Sequence, residues 1–292
     1  GWLDLPDGTR IGVERAHLEE DTGKSTHVGG DGRIHGSEAS LIDFNRAGVP
    51  LVEIVSRPDI STVDQAKAYV NELRAILTAI EASDARMEEG SMRVDANVSV
   101  RRAGEPLGTR CEIKNVNSVR SLGRAIEYEA RRQVDLIEAG DKVRQETRHW
   151  NENDGRTHTL RVKEDADDYR YFLEPDLVPL APDAAWIARV REFVEPRKPS
   201  NRRGALATAA GVDAGNDAVW TIVDRGQDAY VLEALAAGGV AERVLVHVQQ
   251  AFAEAGSQPT LAPTGLARLT AMERAAELTA TQAKDVLATM LE

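Results

Sequence analysis

The chain has 292 residues, 42% of them hydrophobic, which suffices for a globular core and makes two domains a reasonable expectation. No apolar run approaches the length of a membrane span and no secretory signal is recognisable, so we expect a cytoplasmic protein with no membrane partner. The single cysteine, Cys111, excludes an intrachain disulfide framework and a multi-cysteine zinc site. Because the chain begins with Gly1 rather than Met, we expect a fragment of a longer polypeptide.

The formal net charge of −12 argues by its sign against a nucleic-acid partner, but the distribution of charge matters more than the total. Between Arg93 and Arg132 there are nine Lys and Arg residues against five acidic residues. This locally basic segment permits contact with phosphate groups, and a solvated helix face would explain it equally well.

The first predicted strand covers residues 9–20 and leads into three adjacent carboxylates, Glu19, Glu20 and Asp21. Neighbouring carboxylates repel one another, so they are either spread in solvent, which the sequence alone favours, or held around a cation. The glycine-rich loop that follows carries His27 and His35, which could bind a metal.

A second predicted strand, residues 51–55, is apolar and β-branched except for Glu53, and prolines bound it on both sides. A carboxylate inside a buried strand is costly unless it is paired or holds a metal. The pattern therefore leaves two interpretations open for Glu53, a structural ion pair with an arginine or a metal ligand.

Residues 59–82 have the clearest helical pattern, with one apolar face and Asp59 or Ser61 as a cap. A second helix is predicted from Asn117 or Ser118 to Gly140. Its expected buried stripe consists of Leu122, Ile126, Ala130, Val134 and Ile137. Its expected surface arginines are Arg120, Arg124, Arg131 and Arg132.

Between these helices, residues 92–101 and 109–114 alternate strictly between apolar and polar side chains, which predicts an antiparallel hairpin. The alternation places five polar side chains on one surface: Arg93, Asp95, Asn97, Glu112 and Lys114. A solvent-facing sheet would have the same pattern. The combination of cationic, amide and carboxylate groups is also what ATP, magnesium and a transferring phosphoryl group require.

Residues 145–163 predict a second hairpin, with a turn at 151–155. The acidic run 164–168 is either a surface turn or a further cation site, and residues 169–172 predict a closing strand. From residue 184 the sequence is rich in alanine with helical spacing. Two basic pairs there, Arg197-Lys198 and Arg202-Arg203, could contact an RNA backbone.

Several blocks of the sequence resemble, in order, those of the GatB family, one of the subunits of the bacterial Asp/Glu-tRNA(Asn/Gln) amidotransferase. The blocks are residues 17–27, 43–58, 89–99, 112–118 and 163–172. The resemblance extends over residues 10–183 and is looser from 184 on. It implies an α+β fold, with an antiparallel-sheet cradle domain (1–183), incomplete at its N-terminus, followed by an all-helical domain (184–292).

The resemblance also implies a reaction, in which ATP activates the side-chain carboxylate of Glu-tRNA(Gln) or Asp-tRNA(Asn) as an acyl phosphate that ammonia then converts to the amide. The implied partners are the amidase (A) subunit, the small (C) subunit and the misacylated tRNA. By position in the family, Glu20 and Glu53 are candidate ligands of a magnesium ion, with Glu19 as a neighbour. The remaining implied ligands, a Glu and a His, lie in a segment that precedes this chain.

The polar sheet face is then the expected pocket for the nucleotide and the acyl end. We expect catalytic roles for Glu20, Asp95 and Lys114. The expected contacts to ATP are Arg93, Asn97, Glu112 and Asn115. An alternative from another class is a module that only binds tRNA or a partner protein of the complex. A free-standing ATP-dependent ligase is disfavoured because the sequence has no P-loop.

Overall fold

The computed structural model describes residues 1–28, 39–162, 181–253 and 259–291. The chain forms two compact units, Gly1–Tyr69 and Val70–Glu292. The helix α1 (Val63–Ala79), which confirms the first predicted helix, passes from one unit into the other. The expected domain boundary between residues 183 and 184 rests on a change in amino-acid composition and pattern, and it stays a prediction.

The described residues of the first unit form five strands: β1 (Trp2–Asp4), β2 (Arg10–Glu20), β3 (Lys24–Val28), β4 (Ala39–Asp43) and β5 (Pro50–Ser56). Strand β2 lies between β1 and β5 and is antiparallel to both, and β3 pairs with β4 in a separate two-stranded sheet. The strands predicted over 9–20 and 51–55 are thus confirmed as β2 and β5.

Strand β5 is not the buried strand that its apolar composition predicts. Every residue of β5 is exposed or half-buried, and the Val52 side chain is 54% exposed. The physical reason is that little of the described chain covers the faces of this sheet, since even its central strand β2 has a single buried residue, Ile11. Composition records which side chains could be buried, and the packing of other elements decides which of them are.

In the part of the second unit that the structure describes, four strands form one sheet in the order β6-β7-β8-β9. Its strands are β6 (Val94–Val98), β7 (Cys111–Val116), β8 (Glu146–Asn151) and β9 (Arg156–Val162). Both predicted hairpins are confirmed, because β6 pairs with β7 and β8 with β9 in antiparallel register. Strands β7 and β8 are parallel, since the connection between them passes through a helix.

That connecting helix, α2 (Val119–Glu138), begins where the sequence predicts, because the Ser118 hydroxyl accepts a hydrogen bond from the Ser121 amide. Its buried face differs from the predicted apolar stripe. Leu122 is buried, but Val134 and Ile137 are 41% and 43% exposed. The fully buried positions further along the helix are instead polar, Glu129 and Gln133.

Glu129 is buried because it organises an ionic network between α2 and the sheet. Its carboxylate accepts hydrogen bonds from the Arg132 guanidinium at 2.6 and 3.0 Å and from the Gln133 amide at 2.9 Å. The Thr157 hydroxyl donates to it at 2.8 Å, and Arg148 lies 3.3 Å away. Arg132, predicted to lie on the surface, therefore points into the network and is only 20% exposed.

The rest of the second unit is helical in the described residues. It comprises α3 (Ala184–Val194), α4 (Pro199–Ala210), α5 (Asp217–Asp224), α6 (Asp228–Ala236), α7 (Ala241–Ala251), α8 (Pro263–Arg274) and α9 (Ala280–Leu291). Residues from α4 to α9 share one apolar core. The predicted fold class is confirmed: antiparallel sheets dominate the N-terminal part and helices the C-terminal part.

The network predicts a large stability cost for Glu129→Gln. Removing the charge leaves the Arg132 and Arg148 guanidinium groups buried with a weakened partner, which should lower the free energy of unfolding by about 3 kcal/mol. The matched control is Glu127→Gln, because Glu127 is on the same helix but 59% exposed beside Arg131. Urea denaturation of the two variants should show a large loss for the first and less than about 0.5 kcal/mol for the second.

The same carboxylate should make stability depend on pH. Burial alone would raise the pKa of Glu129, but the hydrogen bonds from Arg132, Gln133 and Thr157 outweigh burial and lower the pKa. A lowered folded-state pKa stabilises the protein above the unfolded-state value of about 4.3, and this contribution is lost as the pH falls further. The stability difference between wild type and Glu129→Gln should therefore shrink below about pH 4. A constant difference from pH 7 to pH 3 would contradict this assignment.

Candidate functional site

The first candidate site lies on the antiparallel pair β2–β5. The register places His17 directly opposite Glu53. Since side chains two residues apart share one face of a strand, Glu19 lies beside His17 on the same face. Potential ligand atoms of His17, Glu19 and Glu53 all lie within 4.8 Å of one another.

His17 is the centre of this cluster. Its Nε2 atom lies 2.9 Å from Glu19 Oε1 and 3.1 Å from Glu53 Oε2. The Glu53 side chain is 42% exposed as a whole, yet its Oε2 atom is shielded from solvent and accepts no hydrogen bond within the described residues. The nearest arginine, Arg15, is 3.8 Å from that oxygen, so an Arg–Glu ion pair explains Glu53 only weakly.

Two carboxylates held beside one imidazole, with potential ligand atoms within 4.8 Å of one another, offer a donor set for a divalent cation. Magnesium prefers oxygen ligands and retains several waters, so the carboxylates of Glu19 and Glu53 suit it. The imidazole of His17 is a better ligand for zinc or iron than for magnesium. The donor set therefore fits a divalent ion, with the two carboxylates as the magnesium-type ligands.

Glu20 does not belong to this cluster. It is paired with Pro50 at the end of β2, and strand alternation places its side chain on the face opposite to His17 and Glu19. The structure thus brings Glu19, rather than Glu20, to Glu53. The expected pairing of Glu20 and Glu53 as metal ligands stays a prediction.

The second candidate site is the polar face of the sheet β6-β7-β8-β9. The Lys114 ammonium donates to Asp95 Oδ2 at 2.7 Å and lies 3.2 Å from Glu112 Oε1. The Thr147 hydroxyl donates to the other Glu112 oxygen at 3.0 Å. Four side chains from three strands therefore meet, and they include three of the predicted polar residues.

The charge state of Lys114 follows from these neighbours. Burial by itself would lower the pKa of Lys114, but the hydrogen bond and negative charge of Asp95, together with those of Glu112, outweigh burial and raise it. Lys114 is therefore a cation at neutral pH, held in a defined position. An ammonium group has three N–H donors, and the contacts to Asp95 and Glu112 use two of them.

The other predicted contacts to ATP occupy different positions around this cluster. Asn97 is exposed and directly opposite Glu112 in the β6–β7 register, and Arg93 is exposed just before β6. The Asn115 amide donates to the backbone carbonyl of Trp150 at 3.0 Å. Asn97 thus lies beside the Lys114 cluster, whereas Asn115 is held against the neighbouring strand.

Sequence reasoning missed the contribution of β8 and β9 to this face. His149 pairs with Lys114 in the parallel register, and its ring contacts that of His158 at a centroid distance of 5.4 Å. Thr147 lies two residues before His149, on the same face. Residues 146–151 show no clear apolar alternation, because Glu146 and Arg148 are buried together with Trp150, and the sequence therefore does not indicate which face points to the core.

The basic residues proposed to touch RNA are already engaged by acids. Arg203 is 4% exposed, and its guanidinium donates at 2.8 Å to both Glu72 and Asp224. Arg202 is paired with Asp228, and Lys198 with Glu195. These contacts favour a structural role over phosphate binding for Arg203 and Arg202, whereas Lys198 is 40% exposed and its pairing decides nothing.

Several predictions fall outside the described residues. They concern the His27 side chain, His35, the acidic run 164–168 and the strand 169–172. Among the described helices, none is long and apolar enough to cross a membrane.

Comparison with known proteins finds a matching family and several similar proteins. Residues 1–188 match the family described as the GatB/GatE catalytic domain. The B subunit of an aspartyl/glutamyl-tRNA(Asn/Gln) amidotransferase from Frankia casuarinae is 46% identical, over 98% of this chain and 60% of its own length. Proteins of the same name from Kineococcus radiotolerans and Streptomyces avermitilis are each 52% identical, over 70% and 73% of this chain and 44% of their own lengths. The chain thus spans at most about 60% of these relatives.

The β2–β5 cluster predicts which carboxylates bind a divalent ion. With Mn²⁺ as the probe, Glu53→Gln and Glu19→Gln should each weaken binding at least about 10-fold, because each replaces a charged carboxylate of the cluster by a neutral amide. Glu20→Gln should leave binding unchanged. The control is Glu14→Gln, since Glu14 is exposed on the same strand and pairs with Arg57. Electron paramagnetic resonance titration measures free Mn²⁺, and a loss with Glu20→Gln but not Glu19→Gln would reverse the assignment.

Proposed function

The chain belongs to the family of the GatB/GatE catalytic domain, and from this premise we propose that it is part of the GatB subunit of a tRNA-dependent amidotransferase. The observation that carries the proposal is the family match over residues 1–188, supported by the similarity of nearly the whole chain to a protein of that name. Asp95 and Lys114 both lie within the matched residues. The Asp95 carboxylate holds the Lys114 ammonium in place on an exposed sheet face.

The proposed reaction has two steps. A side-chain carboxylate oxygen of Glu-tRNA(Gln) or Asp-tRNA(Asn) attacks the γ-phosphorus of ATP, and ADP leaves. Ammonia then attacks the carbonyl carbon of the resulting acyl phosphate, inorganic phosphate leaves with the C–O bonding electrons, and the nitrogen loses a proton. Activation is needed because a free carboxylate is a poor electrophile and has no suitable leaving group.

In this reaction the residues of the polar face have distinct roles. Lys114, already oriented by Asp95 and Glu112, directs its remaining N–H toward a phosphoryl oxygen and offsets negative charge that develops during transfer. Asn97 and Arg93 offer further donors to the nucleotide. Because Asp95 and Glu112 fix the ammonium before substrate arrives, little reorganisation is needed during the reaction.

A divalent ion is the proposed cofactor, and magnesium is the ion that ATP chemistry normally uses. When bound, it supplies positive charge that offsets the charge of phosphate oxygens. Glu53 is the ligand on which the family resemblance and the geometry agree. The neighbouring ligand is Glu20 by resemblance and Glu19 by geometry, and the Mn²⁺ titration decides between them.

The proposed partners follow from the same reaction. Ammonia comes from the glutamine-hydrolysing amidase (A) subunit, the complex includes the small (C) subunit, and misacylated tRNA carries the carboxylate. The proposed location is the cytoplasm, where misacylated tRNA is available.

The test replaces Lys114 in the full-length protein, assembled with its partner subunits. Lys114→Met should lower ATP-dependent conversion of Glu-tRNA(Gln) to Gln-tRNA(Gln) at least about 100-fold, because it removes the charge next to the transferring phosphoryl group. The matched control is Lys67→Met, since Lys67 is another half-exposed lysine paired with an aspartate, Asp64, but lies on α1. ATP consumption and amide formation are followed together.

Binding of tRNA and release of ammonia from glutamine should be retained in Lys114→Met, since neither needs phosphoryl transfer. If Lys114→Met instead forms the amide at nearly the wild-type rate, this face is not the phosphoryl site. If it loses tRNA binding as well, the alternative of a binding module gains support.

A further inference from the structure

The alternation of β7 breaks immediately after Lys114. Cys111 and Ile113 are fully buried, as a strict two-residue repeat requires, but the next buried position is Val116 rather than Asn115. A continued repeat would turn the Asn115 amide into the apolar core and Val116 away from it. The apolar spacing of β7 therefore requires one extra residue between Ile113 and Val116.

That extra residue forms a β-bulge opposite Asp95. Ala96 pairs with Ile113 and Val94 with Val116, so Lys114 and Asn115 together face the single residue Asp95. Asn115 has φ of +65°, in the left-handed region. Asparagine visits this region more readily than most residues other than glycine, because its short polar side chain can make local hydrogen bonds. Bulges are frequent next to functional sites, where they redirect a side chain.

The Asn115 side chain also contacts β8 just beyond the end of the backbone pairing. The parallel register between β7 and β8 ends at Lys114 and His149. The next residue of β8 is Trp150, which is 1% exposed, and its carbonyl accepts the Asn115 amide at 3.0 Å. Asn115 thereby ties the bulge to the most deeply buried aromatic residue of this sheet and satisfies a carbonyl at the end of the ladder.

From these contacts we infer that Asn115 is a positioning residue that holds Lys114 between Asp95 and Glu112 and does not itself bind the nucleotide. Its left-handed backbone creates the bulge, and its amide anchors the bulge to Trp150. Lys114, the preceding residue, is thereby fixed on the polar face with its ammonium 2.7 Å from Asp95. The catalytic meaning of this inference rests on the proposed function, whereas the positioning itself does not.

Two substitutions separate the two properties of Asn115. Asn115→Asp keeps the size and the tolerance for positive φ but presents no amide donor to the Trp150 carbonyl. Asn115→Gly accepts the same φ without strain and has no side chain, so it should fold even if the aspartate variant does not. The control is Ala276→Gly, which places glycine at another left-handed position, φ +59°, in the helical part.

The experiment measures catalysis and the environment of Lys114 separately, in the full-length protein with its partners. Both Asn115 variants should lower kcat for amide formation about 10- to 100-fold, as expected for a misplaced group, while KM for ATP changes less than about 3-fold. An amine-reactive reagent, read by peptide mass spectrometry, should label Lys114 several times faster in both variants. Labelling of Lys67 should not change, and Ala276→Gly should match wild type in every measurement.

Two other outcomes would overturn the inference, and a third would overturn the proposed function. A raised KM for ATP with unchanged labelling of Lys114 would make Asn115 a nucleotide ligand and overturn the inference. Wild-type kcat and labelling in Asn115→Gly would show that the amide is dispensable and would also overturn it. If the wild-type complex formed no amide at all, the proposed function would fail, and the labelling ratio would still test the positioning.

Discussion

The Glu129 carboxylate, buried between α2 and the four-stranded sheet, is the interaction on which the candidate phosphoryl site depends. It accepts hydrogen bonds from Arg132 and Gln133 on its own helix and from Thr157 on β9. A charge without access to water is tolerated only when such donors surround it. Losing one of these hydrogen bonds would cost much free energy of folding, so the network holds α2 in a defined position against the sheet.

Once α2 is fixed against one face of the sheet, the side chains on the opposite face are determined as well. Because side chains of a strand alternate, the residues that point away from α2 on β6, β7 and β8 must share the opposite surface. Asp95, Lys114, Glu112 and Thr147 meet there. The bulge at Asn115 interrupts the regular β6–β7 pairing, and it lies next to Lys114.

Much of the fold follows from local sequence. The alternation in residues 92–101 and 109–114 predicts β6 and β7, and Ser118 marks the start of α2 because its hydroxyl can cap only the first turn. The buried face of α2 does not follow from sequence. Val134 and Ile137 have the apolar character of core residues, yet the polar Glu129 and Gln133 are buried because the partners they require lie on strands far away in sequence.

By itself the sequence determined strands β2 and β5, helices α1 and α2, the hairpins β6–β7 and β8–β9 and the polar character of one sheet face, since these depend on periodicity and on residues a few positions apart. It did not indicate β1 or the pair β3–β4. The tertiary structure decided which carboxylates meet. Strand alternation and the β2–β5 register bring Glu19 and His17, but not Glu20, to Glu53. It also decided that Asn115 contacts Trp150 across a parallel pair. Contacts of this kind depend on register between distant segments, and a shift of one residue would reverse every assignment.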